Sequence, residues 1–135
     1  MNVASALLQR LALALLVVLL IVVGTCYYAS SARADREVAM ALTGGDPDRA
    51  PVLLRRYGCS GCHTIPGLAG ADGKVAPPLV QLRKRVYIAG KLQNTPENLM
   101  RWIVSPQSVA PGSAMPDTGI DERGARDVAA FLYSN

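Results

Sequence analysis

Cys59-Ser60-Gly61-Cys62-His63 places two thiols and the only imidazole of the chain within five residues. Whatever fold forms must turn these three groups toward one partner. The C-x-x-C-H spacing reads as covalent attachment of a c-type haem. Each thiol can add to one vinyl group of the porphyrin, and the adjacent imidazole supplies the proximal iron ligand. Other uses of a cysteine pair fit less well. A thioredoxin-like pair belongs in a βαβ setting, and no β-rich run surrounds this one. A structural zinc site wants four protein ligands, and the only other cysteine, Cys26, lies far upstream in an apolar segment.

A second stretch constrains the chain as strongly. Leu11 to Ala29 is an uncharged, Leu- and Val-rich run preceded by Arg10, long enough for a helix to cross the hydrocarbon core of a bilayer. The rival reading is a signal peptide cleaved after Ala32-Arg33-Ala34, leaving a mature chain that begins at Asp35. The run exceeds the usual h-region of about 7–15 residues, so an uncleaved anchor is expected. The flanking charges barely discriminate orientation under the positive-inside rule. Haem attachment outside the cytoplasm settles it: amino terminus inside, haem domain outside, single pass in the cytoplasmic membrane of a bacterium. Cys26 near the outer end of the run reads as a small apolar packing residue rather than a lipidation site.

A chain of 135 residues suits one small domain with an appendage. With aromatics at only 5%, the core is thin, and a buried haem would supply much of the missing apolar surface. From Asp35 onward twelve Lys/Arg face ten Asp/Glu, so two haem propionates bring this part near neutrality. No basic stripe with interleaved aromatics is present, which excludes a nucleic-acid binder.

Residues 30–42 are mostly good helix formers, and Thr43-Gly44-Gly45 stops them; this continuation is a partly stiff stalk. Asp46-Pro47 then resembles an N-cap and first-turn proline. The expected division is residues 1–46 as cytoplasmic tip, transmembrane anchor and stalk, and residues 47–135 as haem domain. Within the latter, helices are expected over Asp48–Tyr57, Leu79–Ile88, from Thr95 to before Pro106, and Asp121–Tyr133. Residues 64–78 and 107–119 are loops. No strand is expected, and the fold class is all-α.

A six-coordinate haem needs a ligand opposite His63, and no second histidine exists. Met1 and Met40 belong to anchor and stalk, and Met100 sits in a helix beside Trp102 as core. Met115, in the irregular loop Pro111-Gly112-Ser113-Ala114-Met115-Pro116, is free of helical periodicity and is the expected distal ligand. His/Met ligation raises the reduction potential.

With these residues the chain resembles the small class I cytochromes c over about residues 47–134. The haem motif, Pro77 with Leu79, and Met115-Pro116 stand in that family's order. A closer likeness is to the cytochrome c domain fused to subunit II of some haem–copper terminal oxidases. Gly58-Cys59-Ser60-Gly61-Cys62-His63-Thr64-Ile65, Asn94-Thr95-Pro96-Glu97-Asn98-Leu99, Trp102-Ile103 and Pro106-Gln107 carry it. The resemblance implies that the Pro77 carbonyl accepts a hydrogen bond from the His63 ring. It also implies that Trp102 packs on the haem or reaches a propionate, unless it is plain core, and that Arg83 or Arg85 can pair with a propionate. Two departures stand out. Ala76 and Pro78 occupy positions where the family often has Gly and Asn or Asp. An apolar helix stands in place of a copper-binding module, so association with an oxidase is expected through a separate subunit.

The function expected is that of an electron carrier with no catalytic residue of its own. It holds one covalent haem c through Cys59, Cys62, His63 and Met115, with Pro77 and Trp102 as further cofactor contacts. Iron is ligated by His63 and Met115. Partners are membrane lipid through residues 11–29 and a terminal oxidase or quinol-oxidising complex. A cytochrome subunit of a periplasmic dehydrogenase is chemically equivalent. A haem sensor or peroxidase with an exchangeable sixth ligand lacks the distal histidine that would favour it.

Overall fold

The computed structural model describes residues 3–135. The chain is mostly helical and divides into two compact units, Met1–Ala34 and Asp35–Asn135. Helix α1, Val3–Thr43, contributes to both. Its Leu and Val side chains from Leu11 to Val23 are exposed, a pattern suited to an apolar environment rather than to water. Among the described residues this is the one helix long and apolar enough to cross a membrane.

In the second unit α1 ends where expected. The Gly44 N–H returns to the Met40 carbonyl at 2.8 Å, while the buried Thr43 hydroxyl donates to Ala39 O at 2.8 Å and accepts from Gly45 N–H. Residues 35–42, part of the expected stalk, are packed into this unit: Ala39 is buried, Arg36 pairs with Asp48, and Arg83 pairs with Asp35.

Helix α2, Ala50–Arg56, starts later than Asp48 because Asp46 caps a preceding turn through its carboxylate and Asp48 N–H. The single turn α3, Cys59–Cys62, follows. Helix α4, Pro96–Val104, begins at Thr95, whose hydroxyl accepts from Asn98 N–H at 3.2 Å. Helix α6, Glu122–Ser134, is capped by Asp121, whose side chain accepts from Gly124 N–H at 2.8 Å. Nearly all of α6 from Gly124 to Tyr133 is buried, and both α2 and α4 pack on it. Ala125 and Ala129, both fully buried in the core, are small enough for neighbours to approach α6 closely.

Three expectations are corrected. Residues 79–88 do not form a helix; only the 3₁₀ turn Leu82–Lys84 is helical there. The Asn94 amide takes the carbonyls of Leu82 and Arg85, at 2.7 and 2.8 Å, which a helix needs for its own ladder. The all-α expectation misses a small antiparallel hairpin, β1 (Tyr87–Ile88) with β2 (Leu92–Gln93). Its turn places Ala89 and Gly90 at positive φ, and Ala-Gly is a weaker hairpin signal than Asn-Gly. The loop after Pro106 contains a further helical turn, α5 (Pro106–Val109).

Candidate functional site

The site is assembled from a turn that the sequence itself dictates. Gly58 sits at φ +73°, a left-handed conformation that costs glycine little, and this allows α3 to start directly after α2. Cys59 and Cys62, three residues apart on one helical turn, then share a face. The His63 N–H closes the turn on Cys59 O at 3.0 Å. His63 itself leaves in extended conformation, φ −105° and ψ 141°. Burial pushes the Cys59 thiol above its ordinary pKa, and the neighbouring Cys62 adds to the shift.

The following loop folds back onto this turn through its main chain. Ala76 N–H donates to Cys62 O at 2.9 Å, and Leu79 N–H donates to Thr64 O at 2.8 Å. The Thr64 hydroxyl donates to Gly73 O at 2.9 Å. Gly73 lies so close that a Cβ there would come within 2.6 Å of the Cys62 carbonyl carbon. These ties bring Pro77 O to 2.7 Å from His63 Nδ1. A carbonyl can only accept, so Nδ1 is the donor in this contact, which leaves Nε2 as the ring nitrogen able to offer a lone pair. Ala76 and Pro78 do not disturb this contact, because the loop is held by the N–H groups of Ala76 and Leu79 and asks none of Pro78.

Across the site, Met115 sits on the loop between α5 and α6. One side chain organises that loop. Gln107 Nε2 donates to Met115 O at 2.6 Å and to Ser113 O at 2.9 Å, while its Oε1 accepts from Gly112 N–H at 3.0 Å.

Cys59, Cys62, His63, Pro77, Trp102 and Met115 all line one cavity of about 710 Å³. That volume lies within the range of about 300–1,000 Å³ typical of small-molecule and cofactor sites. Its wall is mainly apolar, with Leu54, Leu79, Ile103, Ile120 and Val128 among the contributors. The lining groups with a formal positive charge are Arg85 and Lys91, and no Asp or Glu lines the cavity among the described residues. The cavity therefore suits an apolar ligand that carries acidic groups. Met100 packs on the core and does not line it. Arg83 is engaged with Asp35 away from it, whereas Arg85 reaches it and also donates to the carbonyls of Pro78 and Val80.

Two contributors escape a reading from sequence. Gln107 enters there only as part of a similar stretch, and its amide acts on residues that no periodicity connects to it. Gly73 is one glycine of a glycine-rich loop, and only the close approach to Cys62 distinguishes it.

The chain is 43% identical over 83 residues to cytochrome c oxidase subunit 2 of Alkalihalophilus pseudofirmus, covering 61% of this chain and 23% of that protein. It is 40% identical over 62 residues to cytochrome c oxidase subunit 2 of Bacillus sp. (strain PS3), covering 44% and 17%. The chain thus spans less than a quarter of the length of these curated relatives. No protein-family profile and no solved structure matches it. These partial matches support a likeness to a terminal-oxidase subunit.

Proposed function

We propose that this chain is a membrane-anchored c-type cytochrome that passes single electrons in a respiratory chain, delivering them to a terminal oxidase from a quinol-oxidising complex. The observation that carries this reading is the convergence on one apolar cavity of two thiols on a helical turn, an imidazole with its Nδ1 proton committed, and a loop thioether. Cys59 and Cys62 would hold a haem by thioether bonds, with His63 and Met115 as iron ligands. When bound, the haem supplies reversible one-electron chemistry, with the potential raised by a His/Met pair.

The chain's own groups have separable tasks. Pro77 O fixes the plane and tautomer of the His63 ring and makes it a better donor, as partners of ligating histidines do. Leu54, Leu79 and Ile103 keep water from the cavity wall. Arg85 and Lys91 face whatever acidic groups the ligand presents. The apolar segment 11–29 holds the protein in the membrane with the haem domain on the outer side. Tethering replaces diffusional search by a high effective concentration near membrane partners. Similarity to two oxidase subunits supports the terminal oxidase as acceptor over a periplasmic dehydrogenase.

Intact-mass measurement on denatured protein tests the cofactor: chain plus one haem is expected. A chain that sheds all its haem into acid acetone overturns the proposal. For the acceptor, membranes lacking the protein should consume oxygen more slowly than wild-type membranes; unchanged respiration would exclude the oxidase.

A further inference from the structure

Met115 sits where no helix or strand fixes its backbone. Between Ala110 and Gly119 the chain has no ladder of main-chain bonds; its internal ties are Ser113 N–H to Ala110 O at 3.1 Å and a long contact from the Ser113 hydroxyl to Met115 O at 3.4 Å. A thioether on such a segment is held only as well as the loop is held. The restraint comes from Gln107. Its neighbour Pro106 is fully buried, so the backbone of α5 is anchored to the core at the point where Gln107 projects.

The Gln107 amide is used at both ends. Its two N–H donors meet Met115 O and Ser113 O, and the Ser113 hydroxyl oxygen lies at 3.2 Å. Its oxygen takes the Gly112 N–H. The reverse assignment would set a carbonyl against two carbonyls and an NH₂ against an N–H, so the orientation of the amide is fixed by its partners. The backbone N–H of Gln107 also reaches Asp117 Oδ1 at 3.4 Å. Contacts from this one residue therefore bracket Met115 on both sides, at positions 112, 113, 115 and 117.

We propose that Gln107 is the positioning residue of the Met115 loop: its amide substitutes for missing secondary structure and holds the thioether toward the cavity. Its consequence for iron ligation rests on the haem reading above. Glutamate in its place keeps the length and the acceptor for Gly112 N–H but turns an oxygen toward two carbonyls. Leucine keeps the bulk and removes every side-chain bond.

The test uses the full chain in detergent. In Gln107→Leu, hydrogen exchange at Gly112 and its loop neighbours should accelerate roughly tenfold, the scale of one lost hydrogen bond, while the amides of α6 keep their wild-type rates. In the haem-loaded protein both Gln107→Leu and Gln107→Glu should weaken the long-wavelength iron–sulfur absorption of the oxidised form. Added imidazole should then bind roughly tenfold more tightly, since the competing ligand is held by about one hydrogen bond less. Unchanged loop exchange would overturn the proposal, as would uniform acceleration through α6, which marks a general structural role. Loosened exchange with an intact iron–sulfur absorption would show that Met115 is held by something else and would overturn it too. If the wild-type chain carries no haem, the functional reading above falls, and the exchange comparison alone still decides the loop assignment.

Discussion

His63 donates its Nδ1 proton to the carbonyl oxygen of Pro77 across 2.7 Å. The acceptor belongs to a loop, and the loop is registered on the motif by the Ala76 N–H bond to Cys62 O. Ala76→Pro removes that donor and restricts Val75 to extended backbone. If His63 ligates haem iron as proposed, loosening the Pro77 contact would make it a weaker donor, which favours the reduced state. The reduction potential of the haem-loaded protein should rise in Ala76→Pro and stay at the wild-type value in Ala76→Gly, which keeps the N–H. Redox titration of the two variants checks this.

Gly73→Ala should damage the motif itself. The new Cβ would lie 2.6 Å from Cys62 C and 2.7 Å from Gly61 O, both backbone atoms that cannot rotate away. Overpacking of this kind costs about 1–3 kcal/mol. Thermal unfolding should show a lower Tm, and the yield of covalently loaded protein should fall with it.

Asp127 ties the start of the second unit to α6. Its carboxylate, 4% exposed, meets Arg49 through two bonds of 2.8 Å and accepts Asp46 N–H at 2.7 Å. The Arg49 guanidinium holds the Asp127 carboxyl below the usual carboxylate range. A depressed folded-state pKa means stability that is present above the unfolded value, about 3.9, and lost as pH falls through the folded value. Asp127→Asn should therefore unfold at lower temperature than wild type near neutral pH. The gap between the two should close as pH drops below about 4. A gap that persists at acid pH would mean the pair is not its source.

Tyr133 gives the opposite sign at the alkaline end. Burial, with a smaller contribution from Glu97, pushes its hydroxyl up to about 12. The hydroxyl donates to Asn94 Oδ1 at 2.7 Å. A raised folded-state pKa means stability fully present below the unfolded value, about 10, and lost as pH climbs through the folded one. Tyr133→Phe should cost about 1–2 kcal/mol near neutrality, because Asn94 loses a partner. Its stability should then fall less steeply than wild type between about pH 10 and 12. Denaturant melts across that window check both.

Much of this protein is local and therefore readable along the chain. Leu11–Ala29 lacks charge over a membrane's thickness, Thr95 and Asp121 are short polar caps ahead of apolar helical periods, and Cys59 and Cys62 share a face because three residues nearly complete a turn. Each of these depends on neighbours a few residues away. What only the tertiary structure decided depends on partners far apart in sequence. Residues 79–88 have adequate helix propensity, yet Asn94, itself held by Tyr133, captures the carbonyls that a helix would have used. Nothing near Asp127 in the chain announces that Arg49 and Asp46 N–H satisfy its carboxylate. Gln107 reads as a polar residue after a proline, and only the folded loop gives its amide three partners. Periodicity and capping are short-range and leave marks in composition. A single side-chain amide or carboxylate bridging two segments leaves none, because its energy depends on where the rest of the chain delivers the other atoms.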